Sequence, residues 1–201
     1  MLVDAGKVRH WGLSNEDAHG LREFRRAAAE VGLAPPVCMQ NAYSLLQRAD
    51  EEELVADCMD EDGEAAPVSY LAYSPLSAGT LTGKYAQPKP KGNKKPVPRR
   101  SRLGQFRGYS DGFAQSGGPA AVDAYIAVAR KHGLTPTQLA LAHCNSRSFV
   151  GSTIIGATSM SQLAENLMSF NVEWTQELED EVLAVHTEKP NPWRVQLAGL
   201  G

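Results

Sequence analysis

Apolar residues in this chain alternate between short continuous runs, typical of buried strands, and longer segments with helical spacing. The strand-like runs occupy residues 8–13, 37–40, 69–74 and 153–155. The first helical stripe ends at Gly32 and consists of Ala18, Leu21, Phe24, Ala28 and Val31. Because consecutive parallel strands need a crossover connection, four such β-α units in a row predict a parallel α/β sheet.

The starts of further helices carry their own signals. The acidic run at residues 50–53 is expected to begin a helix, since negative charge in a first turn complements the helix dipole. Pro119 marks a first turn, and residues 135–138 combine an N-cap, a first-position proline and a third-position glutamine. Thr175 begins the last predicted helix. Residues 86–118 are rich in Gly, Pro, Lys and Arg, which predicts a flexible basic loop.

Composition narrows the class of protein. With 201 residues, 42% of them hydrophobic and 21% charged, the chain is an ordinary globular domain or a piece of a larger one. Its formal charge of −3 predicts no general attraction to nucleic acid, and no apolar run is long enough to span a bilayer. Cys38, Cys58 and Cys144 are widely spaced and odd in number, so we expect inert thiols in a reducing compartment.

Polar side chains follow each predicted strand, at the edge of a parallel sheet where ligands bind. Asparagine and glutamine each offer a donor and an acceptor, which suits a ligand with a carboxamide, and Tyr73 can stack on a flat ring. Taken singly, each position has a purely structural explanation, such as a helix cap or a buried amide. Together they favour a binding site made of Ser14, Asn15, Gln40, Asn41, Tyr73, Ser74 and residues 156–159.

The segment after the fourth strand has the features of a phosphate site. Gly156 permits close approach to the backbone, Thr158 adds a hydroxyl, and a helix start exposes N–H donors with the positive end of the dipole. Gln162, Glu165 and Asn166 share one helix face at i, i+3 and i+4 spacing, which suits the edge of a base. The alternative is an ordinary capping box, from position 159 to position 162, with a solvated polar face.

Four segments, residues 6–15, 39–46, 73–85 and 155–167, closely resemble motifs of the aldo-keto reductase superfamily, in the same order. The branch that resembles them most is that of the bacterial Tas-like proteins and the potassium-channel β-subunit relatives. Members of this superfamily are NADPH-binding (β/α)8 TIM barrels that reduce aldehydes and ketones to alcohols. The resemblance therefore implies that this chain is the C-terminal half of such a barrel, with about four parallel strands.

The resemblance also implies a role for each matched residue. Ser14, Asn15 and Gln40 are expected to hold the nicotinamide carboxamide, and Tyr73 to stack on the nicotinamide ring. The pyrophosphate of NADP(H) is expected to follow Ser74, Pro75, Leu76, Ser77 and Ala78, and the cofactor's phosphates are expected to meet the cations Lys84 and Arg102. The 2′-phosphate is expected to meet Gly156, Thr158 and Gln162. The adenine is expected to contact Glu165 and Asn166.

The catalytic Asp, Tyr, Lys and His of this superfamily lie on its first four strands, and the chain is expected to start just before the fifth. We therefore expect residues 1–201 to form a single, N-terminally truncated oxidoreductase domain that holds the cofactor-binding half and is inactive alone. The proton that a tyrosine donates to the carbonyl would come from elsewhere. The alternative is a non-catalytic subunit, regulatory or structural, that binds NADPH.

Half a barrel leaves two exposed edge strands and one uncovered apolar sheet face. We therefore expect the isolated chain to be unstable, to form a homodimer or to be covered by another protein. A small carbonyl substrate is expected only when the missing half completes the barrel. We expect a cytoplasmic location, since residues 1–7 lack the pattern of a secretory signal; the alternative is an organellar targeting segment lost with the N-terminus.

Overall fold

A computed structural model describes residues 2–59, 66–85, 113 and 116–193. Four parallel strands form one open sheet in the order β1-β2-β3-β4, which confirms the predicted α/β class and is consistent with part of a TIM barrel. The predicted loop at residues 86–118 lies mostly outside the described residues. The strands are β1 (Leu13–Ser14), β2 (Cys38–Ala42), β3 (Ser69–Tyr73) and β4 (Val150–Thr153).

Helices connect and cover these strands. Short 3-10 turns occur at Ala49–Glu51, Ser77–Thr82 and Ser169–Asn171. Among the described residues, no helix is both long enough and apolar enough to cross a membrane. The helices are α1 (Ala18–Glu30), α2 (Leu54–Met59), α3 (Gly118–Lys131), α4 (Pro136–Asn145), α5 (Met160–Met168) and α6 (Gln176–Glu188).

The first strand is much shorter than the predicted residues 8–13. The backbone N–H of Val8 donates to Leu2 O at 3.2 Å, so this part of the chain belongs to a turn rather than to the sheet. The fourth strand begins earlier than predicted, at Val150, and its pairing with β3 extends to Ile154, whose N–H donates to Ala72 O at 2.8 Å. Strand existence was therefore predicted correctly, and strand boundaries were not.

The helix starts were predicted with mixed success. Residues 135–138 form the expected capping box, and α3 has its proline in the first turn. The acidic run at residues 50–53 does not form the first turn of an α-helix as predicted. Residues 49–51 form a 3-10 turn instead, and α2 starts only at Leu54. The carboxylates of Asp50 and Glu51 instead accept hydrogen bonds from Tyr70 and Arg48 in the interior, which fixes this turn.

The predicted stripe of α1 is buried only in part. Ala18, Leu21 and Ala28 are buried, whereas Phe24 is 43% exposed and Val31 is 61% exposed. With about 100° between successive residues, these two lie on the flank of the stripe, beyond the part of α1 that packs inward. The expectation that all five residues form the buried face was wrong for these two.

Two apolar clusters make up the core. One lies between the sheet and α1 and α2, where strand residues such as Met39, Tyr70 and Ala72 face the helices. The other joins α3, α4 and α6 to the turn that follows β2. The buried Cys58 and Cys144 are free thiols whose pKa is raised by burial to about 12, in line with the expected inert cysteines.

The opposite face of the sheet remains partly exposed. Side chains alternate along β2 and β3, so Gln40 and Ala42, and likewise Leu71 and Tyr73, point away from the helices and are only half-buried. This face carries amide and hydroxyl groups as well as apolar ones, and it is therefore less apolar than predicted. It ends at the carboxyl edge of the strands, where the candidate site lies.

Candidate functional site

The ends of β1 and β2 are joined by a set of short hydrogen bonds. Asn15 adopts a left-handed backbone with φ of 60°, and its N–H donates to Gln40 O at 3.2 Å and to Asn41 Oδ1 at 2.7 Å. The Ser14 hydroxyl donates to the same Gln40 oxygen at 3.0 Å. The structure thus brings Ser14 and Asn15 to the main-chain oxygen of Gln40.

The end of β3 adds an aromatic side chain to this group. Tyr73 is half-buried, and its hydroxyl donates to Asn15 Oδ1 at 2.7 Å. The amide nitrogen of Asn15 in turn donates to the Ser14 hydroxyl at 3.2 Å, so the orientation of the whole carboxamide is fixed. Three neighbouring strands therefore end in one connected patch of hydroxyl, amide and aromatic groups.

Buried groups on the helix side of the sheet support this patch. Asn41, which is 6% exposed, donates from its side-chain amide to Glu16 O and to Asp50 Oδ2, both at 2.8 Å. The Tyr70 hydroxyl donates to the same Asp50 oxygen at 2.6 Å. Burial raises the pKa of the Asp50 carboxyl, and the bonds from Tyr70 and Asn41 oppose that shift.

Sequence reasoning missed this supporting role. It placed Asn41 at a strand end without a partner, and it assigned Asp50 to a helix dipole. The alternation of β2 carried a usable signal, because Asn41 shares the buried face with Met39, and a buried amide requires partners. The partner itself, nine residues further along the chain, depends on tertiary structure.

The loop after β3 has an unusual backbone. Ser74, Ser77, Ala78 and Gly79 have φ values of 55°, 45°, 53° and 86°, in the left-handed region that residues with a Cβ rarely adopt. The Ser77 N–H donates to Ser74 O at 2.8 Å, and Pro75 is buried. Such strain persists only where surrounding contacts enforce it, and it is concentrated at functional sites.

Lys84 lies against this loop. A Cβ built on Gly79 would lie 2.4 Å from Lys84 Nζ, so the ammonium group packs directly on the glycine backbone. Lys84 Nζ is also 5.0 Å from the centre of the Tyr85 ring. A positive charge therefore lies beside the loop predicted to follow a pyrophosphate, whereas the second predicted cation, Arg102, lies outside the described residues.

The segment before α5 combines a helix cap with a second, local bond. Ser159 is the N-cap, and its hydroxyl accepts from Gln162 N at 3.2 Å. The side-chain oxygen of Gln162 accepts from Thr158 N at 2.8 Å and from the Thr158 hydroxyl at 3.0 Å. Only the Ser159 half of the capping box is therefore present. The Gln162 side chain bonds to the exposed Thr158, one residue before the N-cap, instead of to the N-cap backbone.

The remaining predicted residues of α5 point in two directions. The buried Asn166 donates from its side-chain amide to Gly156 O at 3.4 Å, so it belongs with Thr158 and Gln162. Glu165 is half-buried and accepts from the Thr135 hydroxyl at 2.8 Å, which places it at the start of α4. The structure therefore brings Gly156, Thr158, Gln162 and Asn166 together, whereas Glu165, predicted to share their helix face, bonds to α4 instead.

Comparison with known proteins identifies the family to which this chain is related. A profile of the Aldo/keto reductase family matches residues 1–185. "Protein tas" of Escherichia coli (strain K12) is 41% identical over 182 residues, which cover 90% of this chain and 49% of that protein. An "Aldo-keto reductase" of Babesia bovis is 34% identical over 201 residues, covering 96% of this chain and 66% of that protein.

A "Probable voltage-gated potassium channel subunit beta" of Oryza sativa subsp. japonica is 30% identical over 191 residues, covering 94% of this chain and 56% of that protein. The chain spans about half the length of the Tas protein, so these similarities concern one part of a larger relative. They confirm the resemblance found in the four sequence motifs, including its Tas-like and potassium-channel branch. The chain belongs to the aldo/keto reductase family.

Proposed function

We propose that this chain forms the NADP(H)-binding part of an aldo-keto reductase, an oxidoreductase that reduces a carbonyl compound to an alcohol. One observation carries the proposal: Ser14, Asn15, Gln40 and Tyr73, from three different strands, form one hydrogen-bonded patch at the carboxyl edge of a parallel sheet. Ligands of α/β folds bind at this edge. Family membership supplies the reaction class.

The patch fits a nicotinamide group. A carboxamide has an acceptor oxygen and a donor NH₂ group, and the side chains of Asn15, Gln40 and Ser14 offer complementary groups. The Tyr73 ring would stack on the nicotinamide, because its hydroxyl is held by Asn15 Oδ1 and the ring lies on the open face of the sheet. Bound NADPH would supply the hydride from C4 of its nicotinamide.

The phosphates would follow the two neighbouring loops. The strained loop of Ser74, Pro75, Leu76, Ser77 and Ala78 would follow the pyrophosphate, with the ammonium of Lys84 beside it. Gly156, Thr158 and Gln162 would meet the 2′-phosphate at the start of α5. Glu165 and Asn166 would contact adenine. The Asn166 amide would then replace its 3.4 Å hydrogen bond to Gly156 O by one to the base.

The proton donor would come from outside these residues. A tyrosine, a histidine and a carboxylate do meet within the described chain, since the Tyr43 hydroxyl donates to Glu51 and lies 3.2 Å from His143 Nε2. Tyr43 and His143 are fully buried on the helix side of the sheet, and Glu51 is half-buried. Burial raises the pKa of Tyr43 and lowers that of His143. This cluster therefore belongs to the core, and we propose that the chain alone reduces no carbonyl substrate.

A second candidate function is a regulatory or structural subunit that binds NADPH without catalysis. Two relatives named as potassium channel β subunits, 30% and 32% identical to this chain, favour it. Both candidates require the same cofactor site. They differ in whether adding the other half of a barrel restores carbonyl reduction.

A titration of NADPH fluorescence tests the shared site. The wild-type chain is expected to bind NADPH at least tenfold more tightly than NADH, because the 2′-phosphate gains charge-assisted hydrogen bonds. Tyr73→Ala should raise the Kd about tenfold, whereas Tyr73→Phe, which keeps the ring, should raise it about threefold or less. Equal affinities of the wild type, Y73F and Y73A would contradict the proposal, as would measurable carbonyl reduction by the wild-type chain.

A further inference from the structure

Residues 191–193, here called the clasp, follow α6 and pack on the turn after β2. The Trp193 N–H donates to Leu46 O at 3.0 Å, and the side-chain oxygen of Asn191 accepts from Arg48 N at 2.7 Å. Trp193 is 7% exposed and shares an apolar cluster with Leu46 and Leu81. The clasp therefore contacts a turn far earlier in the chain, since Arg48 and Asn191 are 143 residues apart.

This turn connects the clasp with the strained loop after β3. Ser44 and Gln47 exchange two backbone hydrogen bonds of 3.0 Å, which closes the turn. The Ser44 hydroxyl bonds to Leu46 N at 3.2 Å and to the Ser77 hydroxyl at 2.8 Å, and both serines are about 1% exposed. A continuous chain of contacts thus runs from Trp193 and Asn191, through residues 44–48, to Ser77.

The loop needs such support. Ser77 and Ala78 have positive φ values without being glycine, a conformation that costs energy unless neighbouring contacts maintain it. The Ser44–Ser77 bond is one such contact, and the packing of Leu81 in the cluster of Trp193 is another. Losing the clasp would loosen both contacts while leaving the loop sequence unchanged.

The clasp also contacts the segment that precedes α3. The rings of Phe113 and Trp193 lie edge to face with centres 5.1 Å apart, and the Ser116 hydroxyl donates to Pro192 O. Two separate segments, the turn after β2 and the approach to α3, therefore converge on residues 191–193. Neither contact involves a residue assigned to the cofactor.

From these contacts we propose that the clasp preorganises the Ser77–Ala78 loop for the cofactor's pyrophosphate, with Asn191 and Trp193 as positioning residues. This inference rests on the proposed NADP(H) site. Preorganised donors bind an anion more tightly because less ordering remains to be done on binding. The clasp would therefore raise cofactor affinity without touching the cofactor.

Asn191 permits a sharp test because its backbone φ is 44°, which glycine, aspartate and asparagine tolerate. Asn191→Gly keeps this backbone conformation and removes only the acceptor for Arg48 N. Asn191→Asp keeps both the conformation and the acceptor, and serves as the conservative rescue. Ala28→Gly in α1, far from the clasp, is a destabilised control.

Two measurements on the full 201-residue chain test whether the clasp preorganises the loop. In hydrogen exchange, N191G is expected to speed exchange of the Ser77, Gly79 and Leu81 amides about fivefold, the effect of one hydrogen bond, while N191D and A28G leave them near the wild-type rate. In NADPH titrations, N191G should raise the Kd about fivefold, with N191D near the wild-type value.

The outcomes separate the two proposals. Wild-type NADPH binding together with unchanged exchange and unchanged affinity in N191G would overturn the clasp proposal and leave the cofactor site intact. A wild-type chain that binds no NADPH would overturn the cofactor site and the clasp's role in binding, even if exchange in N191G were faster. An equal loss of affinity in A28G and N191G would also overturn the clasp, since general destabilisation would then explain it.

Discussion

Replacing Asn41 by alanine removes the support beneath the nicotinamide end of the proposed site. The side chain accepts from Asn15 N at 2.7 Å and donates to Glu16 O and Asp50 Oδ2, each at 2.8 Å. Two neutral bonds contribute about 1 kcal/mol each, and the bond to a carboxylate contributes about 2 kcal/mol. We therefore expect Asn41→Ala to lower the free energy of unfolding by about 4 kcal/mol.

Urea denaturation followed by circular dichroism measures this loss. NADPH affinity should fall as well, because Asn15 loses one of the two contacts that hold its left-handed backbone and its amide beside Tyr73. A loss of stability below about 1 kcal/mol would contradict the supporting role of Asn41, since it would mean that Asn15 and Asp50 find equivalent partners without it.

Asn41→Asp is the matched control. It keeps an acceptor for Asn15 N and places a second carboxylate where Asn41 donated to Asp50. At neutral pH the two charges repel, and as the pH falls one carboxyl takes up a proton and becomes a donor to the other. The stability gap between N41D and the wild type should therefore narrow with falling pH. A gap that stays constant from pH 7 to pH 5 would contradict the assigned Asp50 contact.

Three further predictions concern other parts of the fold. Thr135→Ala should cost about 1 to 2 kcal/mol of stability in thermal unfolding through loss of the α4 cap, whereas Thr135→Ser should cost little; equal losses would count against the capping box. The Arg147 guanidinium holds the pKa of Glu179 below its usual range, so Glu179→Gln should be less stable than the wild type above about pH 4.3, and the difference should vanish as the pH falls through the depressed pKa. A difference that persists in acid would rule out this ion pair as the cause. In sedimentation equilibrium and calorimetry, the isolated chain is expected to be dimeric or poorly stable, because among the described residues one sheet face is partly exposed and each edge strand is paired on one side alone. A monodisperse monomer that melts cooperatively would contradict that expectation.

The sequence predicted those features that depend on neighbouring residues. The capping box of residues 135–138 and the first-turn proline of α3 are local signals, and both are present. Ser14, Asn15 and Gln40 could be placed together because consecutive parallel strands share an edge. For these features, signals from neighbouring residues and from adjacent strand ends were sufficient.

Features that depend on distant partners were beyond the sequence. Asp50 resembled a helix-start acid until the fold brought Tyr70 and Asn41 to its carboxylate. A local signal also failed at Gln162, which has the spacing of a capping box but bonds to Thr158, four residues earlier. The clasp had no sequence signal, because its contacts join residues near position 192 with residues near position 46.

The proposed NADP(H) site is tested most directly by titrating the isotope-labelled chain with NADP+ and following amide chemical shifts in two-dimensional NMR. We expect concerted shifts at Asn15, Gln40, Ser77 and Thr158, along the strand ends, with amides in the middle of α6 unchanged. NAD+ at the same concentration should leave Thr158 unperturbed, because it lacks the 2′-phosphate. Shifts confined to other surfaces, or none at all at saturating NADP+, would contradict the proposed site.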